Sequence, residues 1–194
     1  MGAIFQSLGR TVFAGFAILV LLIIATGAGA RMGDASWWAF VFRWLHVLCG
    51  VMWVGILYYF NFVQMPSMPK IPDEQKPAIG KVIAPAALFW FRWSALATVV
   101  TGIALAGKYR YLGSALTLGE GHVYIGVGMW LALIMAFNVW FIIWPNQKKA
   151  LGLVEADAGA KAKAARIAML TSRFNTMLSI PMLFCMVAQQ NIPL

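Results

Sequence analysis

Five long apolar runs divide the chain, at roughly 13–30, 37–63, 82–106, 122–144 and 174–189. Short polar connections separate them, except for the longer stretch 145–173. A helix needs about 20 apolar residues to cross the hydrocarbon core of a bilayer, and the runs are of that order. Gly and Pro punctuate them and no ten-residue alternation is visible, so helices are expected in place of barrel strands. The pattern predicts an all-α integral membrane bundle of five transmembrane helices, forming one domain over 1–194 with no separate soluble part. The first run follows a segment with a single arginine, Arg10, and resembles a signal peptide in outline. Its apolar core is longer than the usual h-region, and it is read as a retained helix.

Composition agrees with that pattern. With 62% hydrophobic and 11% charged residues and a mean hydropathy of +0.79, the chain has too little polar surface to cover a soluble globule. The formal net charge of +9 is distributed unevenly. Arg10, Lys70, Lys76, Lys81, Lys148, Lys149, Lys161, Lys163, Arg166 and Arg173 fall on one side of the predicted bundle, and only Arg31, Lys108 and Arg110 on the other. The positive-inside rule then puts the N-terminus in the cytoplasm and the C-terminus in the periplasm of a bacterial-type inner membrane. Nucleic acid is a poor partner, because the cations flank helices and form no aromatic-studded groove. The Ala- and Lys-rich stretch 145–173 is open to two readings: a short amphipathic helix near anionic headgroups, or a solvated connector. Cys49 and Cys185 sit inside predicted spans with no C-x-x-C spacing, and are expected to be free thiols.

Against this background the ionisable groups inside the apolar runs stand out, since each is costly in lipid. The run from Arg43 to Pro66 carries Arg43 and His46. The run at 122–144 opens on His122, and the chain has no third histidine. Gly50 follows His46 and Gly126 follows His122 by one turn on the same helix face, with Trp53 and Trp130 further on. Pro66 follows His46 by 20 residues and Pro145 follows His122 by 23, so on two parallel helices the imidazoles differ in depth by less than a turn. Two neutral imidazoles at one depth can hold the iron of one haem b from both faces, with the glycines leaving room for the flat ring. Arg43, one turn nearer the outer surface, is the expected propionate partner, and Arg92 on the third run is a second cation of that kind. The cofactor-binding set expected from sequence is therefore His46, His122, Arg43, Arg92, Gly50, Gly126 and Trp53, with His46 and His122 on the iron. The competing view is that the histidines only hydrogen-bond between helices and the tryptophans only pack. A zinc or copper site is disfavoured because such sites usually need three or four ligands.

Three segments carry a resemblance to a known family. "RWLHVLCGVMWVGILYYFNFVQMP", "AFNVWFIIWPNQKK" and "SRFNTMLSIPMLFCMVA" resemble the membrane region of the urate hydroxylase PuuD family, also called the urate oxidase N-terminal family. The resemblance covers about half of the chain. It implies membrane-bound oxidation of urate, with electrons leaving through a cytochrome c domain at the C-terminus. The sequence ends at Leu194 with no C-x-x-C-H, so a separate c-type cytochrome or a respiratory complex is the expected electron partner. His46, Trp53, Gly55, Tyr58 and Pro66, with His122-Val123-x-x-Gly126, bear a more distant similarity to the HemJ-type protoporphyrinogen oxidases, which are small haem-b membrane proteins.

Three function classes follow. The first is a haem-b membrane redox protein, either an electron-transfer protein or a small oxidase related to the urate hydroxylase family. The second is a non-catalytic accessory or anchor subunit of a respiratory membrane complex. A transporter is disfavoured, since no inverted repeat is visible and the six acidic residues lie in loops or at span ends. Beyond the lipid bilayer and the electron partner, self-association is left open.

Overall fold

The fold, taken from a computed structural model, is described for residues 2–192. Six helical stretches carry it: α1 (Leu8–Ala25), α2 (Ala35–Lys70), α3 (Lys76–Lys108), α4 (Leu112–Leu116), α5 (Val123–Ala150) and α6 (Ala158–Asn191). Of these α1, α2, α3 and α5 are long and apolar enough to cross a membrane, the mark of a multi-pass membrane protein. The predicted runs 13–30, 37–63, 82–106 and 122–144 fall on these four, each helix reaching beyond its run at one or both ends except where the first run passes Ala25.

The fifth predicted span is where structure and sequence differ. Residues 174–189 are the second half of the 34-residue α6, which begins far back in the stretch read as a loop. Asp157 caps it by accepting from the Ala160 N–H at 2.8 Å. α6 is not among the four apolar helices. Its buried face is partly polar, with Ser172, Asn175 and Ser179 turned inward, and Gln189, Gln190 and Asn191 close it.

The chain falls into two compact units, 1–41 and 42–194. In the first, α1 has no buried residue and, past Arg10 and Thr11, is apolar all round, a surface suited to lipid. The second holds the core, in which Trp53 and Leu57 of α2, Leu88 and Phe91 of α3, and Met135 and Val139 of α5 are almost wholly enclosed. Lipid gives helices no hydrophobic reason to associate, so close contact and interhelical hydrogen bonds take over. Gly128 is one such contact: a Cβ there would lie 3.1 Å from that of Cys185. Asn175 is another, donating to the Met135 carbonyl at 3.0 Å and accepting from Asn138 at 2.8 Å. Three helices widen into π-helical segments, Tyr59–Gln64, Ile79–Ile83 and Asn138–Ile143. Cys49 and Cys185 are free thiols, as expected.

Candidate functional site

α2, α3, α5 and α6 enclose a mostly apolar cavity of about 550 Å³ within the unit 42–194, a size typical of small-molecule sites. Four residues expected from sequence line it: Arg43, His46, Gly50 and Trp53. Each arises on α2, at positions whose spacing puts them along one side of the helix.

His46 is held by α3. Its Nδ1 lies 2.9 Å from the Thr98 carbonyl oxygen. A carbonyl can only accept, so Nδ1 carries the hydrogen and the lone pair of the neutral ring sits on Nε2. The Thr101 hydroxyl is 3.4 Å from the same nitrogen but lies 2.6 Å from the Ala97 carbonyl, to which it donates. This is the support that orients metal-binding imidazoles: the far nitrogen anchored, the near one available. Gly102, one turn beyond Thr98, makes the room. A Cβ there would lie 2.8 Å from His46 Cε1 and 3.1 Å from Nδ1. The sequence offered a signal for it in Ser94, Thr98 and Gly102, small residues at four-residue spacing on a lipid-embedded helix.

Arg43 stands at the polar end of the cavity with Tyr111, Gln190 and Asn191. It donates from Nη1 to Gln190 Oε1 at 3.3 Å, and its guanidinium lies 5.1 Å from the centre of the Tyr109 ring. Its Nε is buried without a protein hydrogen-bond partner. Burial pushes the Tyr111 phenol above its usual pKa, against the pull of Arg43, so Tyr111 remains a neutral donor at this end.

The other expected residues lie elsewhere. His122 is the N-cap of α5 and does not line the cavity. Its Nδ1 is 3.1 Å from Ser114 Oγ and 3.3 Å from the Glu120 carbonyl, and its ring stacks at 5.2 Å on Tyr111, which does line it. Gly126 clears α4: a Cβ there would collide with the Ala115 carbonyl oxygen and lie 2.7 Å from Leu118 Cδ2. Gly50, in the cavity lining, is open on its protein side, with 3.9 Å from such a Cβ to Thr98 Cγ2. Arg92 donates to the Leu88 carbonyl at 3.1 Å and lies 3.3 Å over the Trp144 ring, outside the cavity lining. Among the described residues no three His, Cys, Asp or Glu side chains gather as a metal cage.

Nine of the 21 residues that line the cavity lie on α5 and α6, and comparison with known proteins bears on these two helices. Residues 116–191 match the urate oxidase N-terminal family. The matched part of the chain runs from the end of α4 through α5 and α6, and so includes His122, Met129, Met182, Met186 and Gln190. Arg43 and His46 lie before it. No curated protein and no solved structure matches the chain.

Proposed function

We propose that the protein is a haem-b membrane redox protein related to the urate oxidase N-terminal family, with the haem in the α2–α3–α5–α6 cavity. The observation that carries this is the Thr98-anchored His46, whose Nε2 lone pair is free on a ring that borders an apolar cavity. Two further features fit the group. The cavity is apolar along its body, and at one end the unpaired Arg43 N–H, Tyr111 and Gln190 offer donors for propionates. Bound haem supplies one-electron chemistry. The protein's own contribution is to fix the imidazole through Thr98, clear it through Gly102 and keep the body of the cavity apolar with Met182 and Met186. His122 is the second iron ligand of this proposal. It stands one ring away, stacked on Tyr111, and would have to reach past that ring.

In the bilayer, α6 is the fifth crossing, with the N-terminus cytoplasmic and the C-terminus periplasmic, as the excess of cations on one side favours. Electrons then pass to a separate c-type cytochrome or respiratory complex near the periplasmic face. Urate is the first donor to test because of the family match. Reduction by a quinol and not by urate would mark an electron-transfer subunit, and a colourless protein purifying in fixed ratio with a larger assembly would mark an accessory subunit.

Haem titration into the purified protein tests the assignment. Saturation at one haem per chain is expected in the wild type and loss of binding in His46→Ala. His122→Ala should keep one haem but convert its low-spin spectrum. Equal binding by wild type and His46→Ala would refute the site.

A further inference from the structure

Beneath the cavity, the antiparallel contact of α2 with α6 continues as a seam of polar groups. Arg43 meets Gln190 at the cavity mouth, and Trp53 and Met182 lie deeper in its lining. One turn past Val54, the Tyr58 and Ser179 hydroxyls are 2.9 Å apart. Further on, Asn61 Nδ2 donates to Ser172 Oγ at 2.8 Å. Thr176 joins the two pairs: Ser179 donates to its carbonyl at 2.7 Å, and its own hydroxyl donates to the Ser172 carbonyl at 3.1 Å. The seam ends at a groove of about 350 Å³ lined by Asn61, Arg173, Thr176 and Met177 among others.

Between residues 53 and 61 of α2, two buried atoms have no protein partner, one in the cavity lining and one in the seam. Trp53 Nε1 is a buried donor on a side chain that is 0% exposed, and Asn61 Oδ1 is a buried acceptor. Eight residues separate them, about 12 Å along a helix axis. Pro181 adds to the imbalance, since it supplies no N–H to the Met177 carbonyl beside the groove. Simple interhelical adhesion accounts for the paired hydroxyls and amides. It leaves the two unpaired atoms unexplained, because an unmet polar group in an apolar interior costs several times what a hydrogen bond returns. Ordered water with two to four polar partners meets such atoms in protein interiors. Asn61 also lies in the π-helical segment Tyr59–Gln64, a distortion frequent at functional sites.

We propose that this seam holds ordered water and carries protons between the groove beside Arg173 and the floor of the cavity, with the Tyr58 and Ser179 hydroxyls as its innermost relay. To pass a proton inward Ser179 turns its hydrogen from the Thr176 carbonyl to Tyr58 and takes another from water behind it, while Tyr58 releases its own to the cavity side, and both hydroxyls then turn back. Every group ends as it began, and no electron moves. The route does not depend on which group the cavity holds.

Exchange of the Trp53 indole N–H into D₂O reads the route directly, in the full chain labelled at tryptophan nitrogen, embedded in nanodiscs and assigned with Trp53→Phe. The wild-type signal should exchange faster than the core backbone amides. Tyr58→Phe, which keeps the ring and removes the relay hydroxyl, should slow it roughly tenfold or more, as should Asn61→Leu at the groove end. Exchange as slow as the core amides would mean a dry seam and overturn the proposal. Rates unchanged in both variants would mean that water arrives from the cavity mouth, and would overturn it as well. Because the signal comes from tryptophan and not from haem, a colourless protein would refute the haem assignment while leaving this test intact.

Discussion

A neutral imidazole in an apolar interior has one nitrogen that must give a hydrogen and one that must be given something. In His46 the first is met by Thr98, and the site rests on the second. Sequence made His46, Arg43 and Trp53 legible, since ionisable and aromatic groups on one side of an apolar helix have few uses. It did not single out Gly102. Gly50 is expected to leave room for the flat ring of the cofactor, whereas Gly102 on α3 makes room for the imidazole itself, and packing between helices distant in sequence leaves only the faint trace of small residues at four-residue spacing. Gly102→Ala is therefore expected to cost about 1–3 kcal/mol by crowding the ring and to lower haem content at fixed expression. Gly50→Ala, which adds a methyl group to the cavity lining, should also lower haem content, with little effect on protein packing. Arg92 gives the opposite contrast. With its guanidinium against Trp144 and outside the cavity lining, Arg92→Gln should retain full haem content in the same assay.

At the level of elements, apolar run length found α1, α2, α3 and α5, because a bilayer sets the length of whatever crosses it. It did less well with α6. That helix spends its buried face on Ser172, Asn175 and Ser179, so hydropathy falls where packing is most specific, and its Ala- and Lys-rich start reads equally as a short amphipathic helix or a connector, of which the structure has a helix continuous with the fifth run. The start of α5 was hard to read for a related reason. His122 caps α5 and is not set inside it, since α4 folds back across the helix start onto Gly126. Gly126→Ala should push α4 off α5, with overpacking worth about 1–3 kcal/mol. A lower unfolding midpoint by tryptophan fluorescence, with His46-dependent haem binding retained, would bear this out. The π-helical segments had no signature in the sequence, as they arise from how neighbouring helices meet.

For the whole molecule, the segregation of cations makes a prediction about sidedness. A reporter joined after Leu194 should be active only in the periplasm, and one inserted near Gly159 only in the cytoplasm. Equal sidedness of the two reporters would remove α6 as a crossing, and the reverse pattern would move the proposed electron exit to the cytoplasmic face. The first result would break the α2–α6 side of the cavity, whereas the second would leave its geometry unchanged while altering who its redox partner can be. The visible spectrum of the purified protein, oxidised and then reduced with dithionite, reaches the haem itself. A sharp, split band that appears on reduction in the wild type and is absent in His46→Ala is the expected result, while a colourless wild type, or the same band in both proteins, would contradict a haem held at His46.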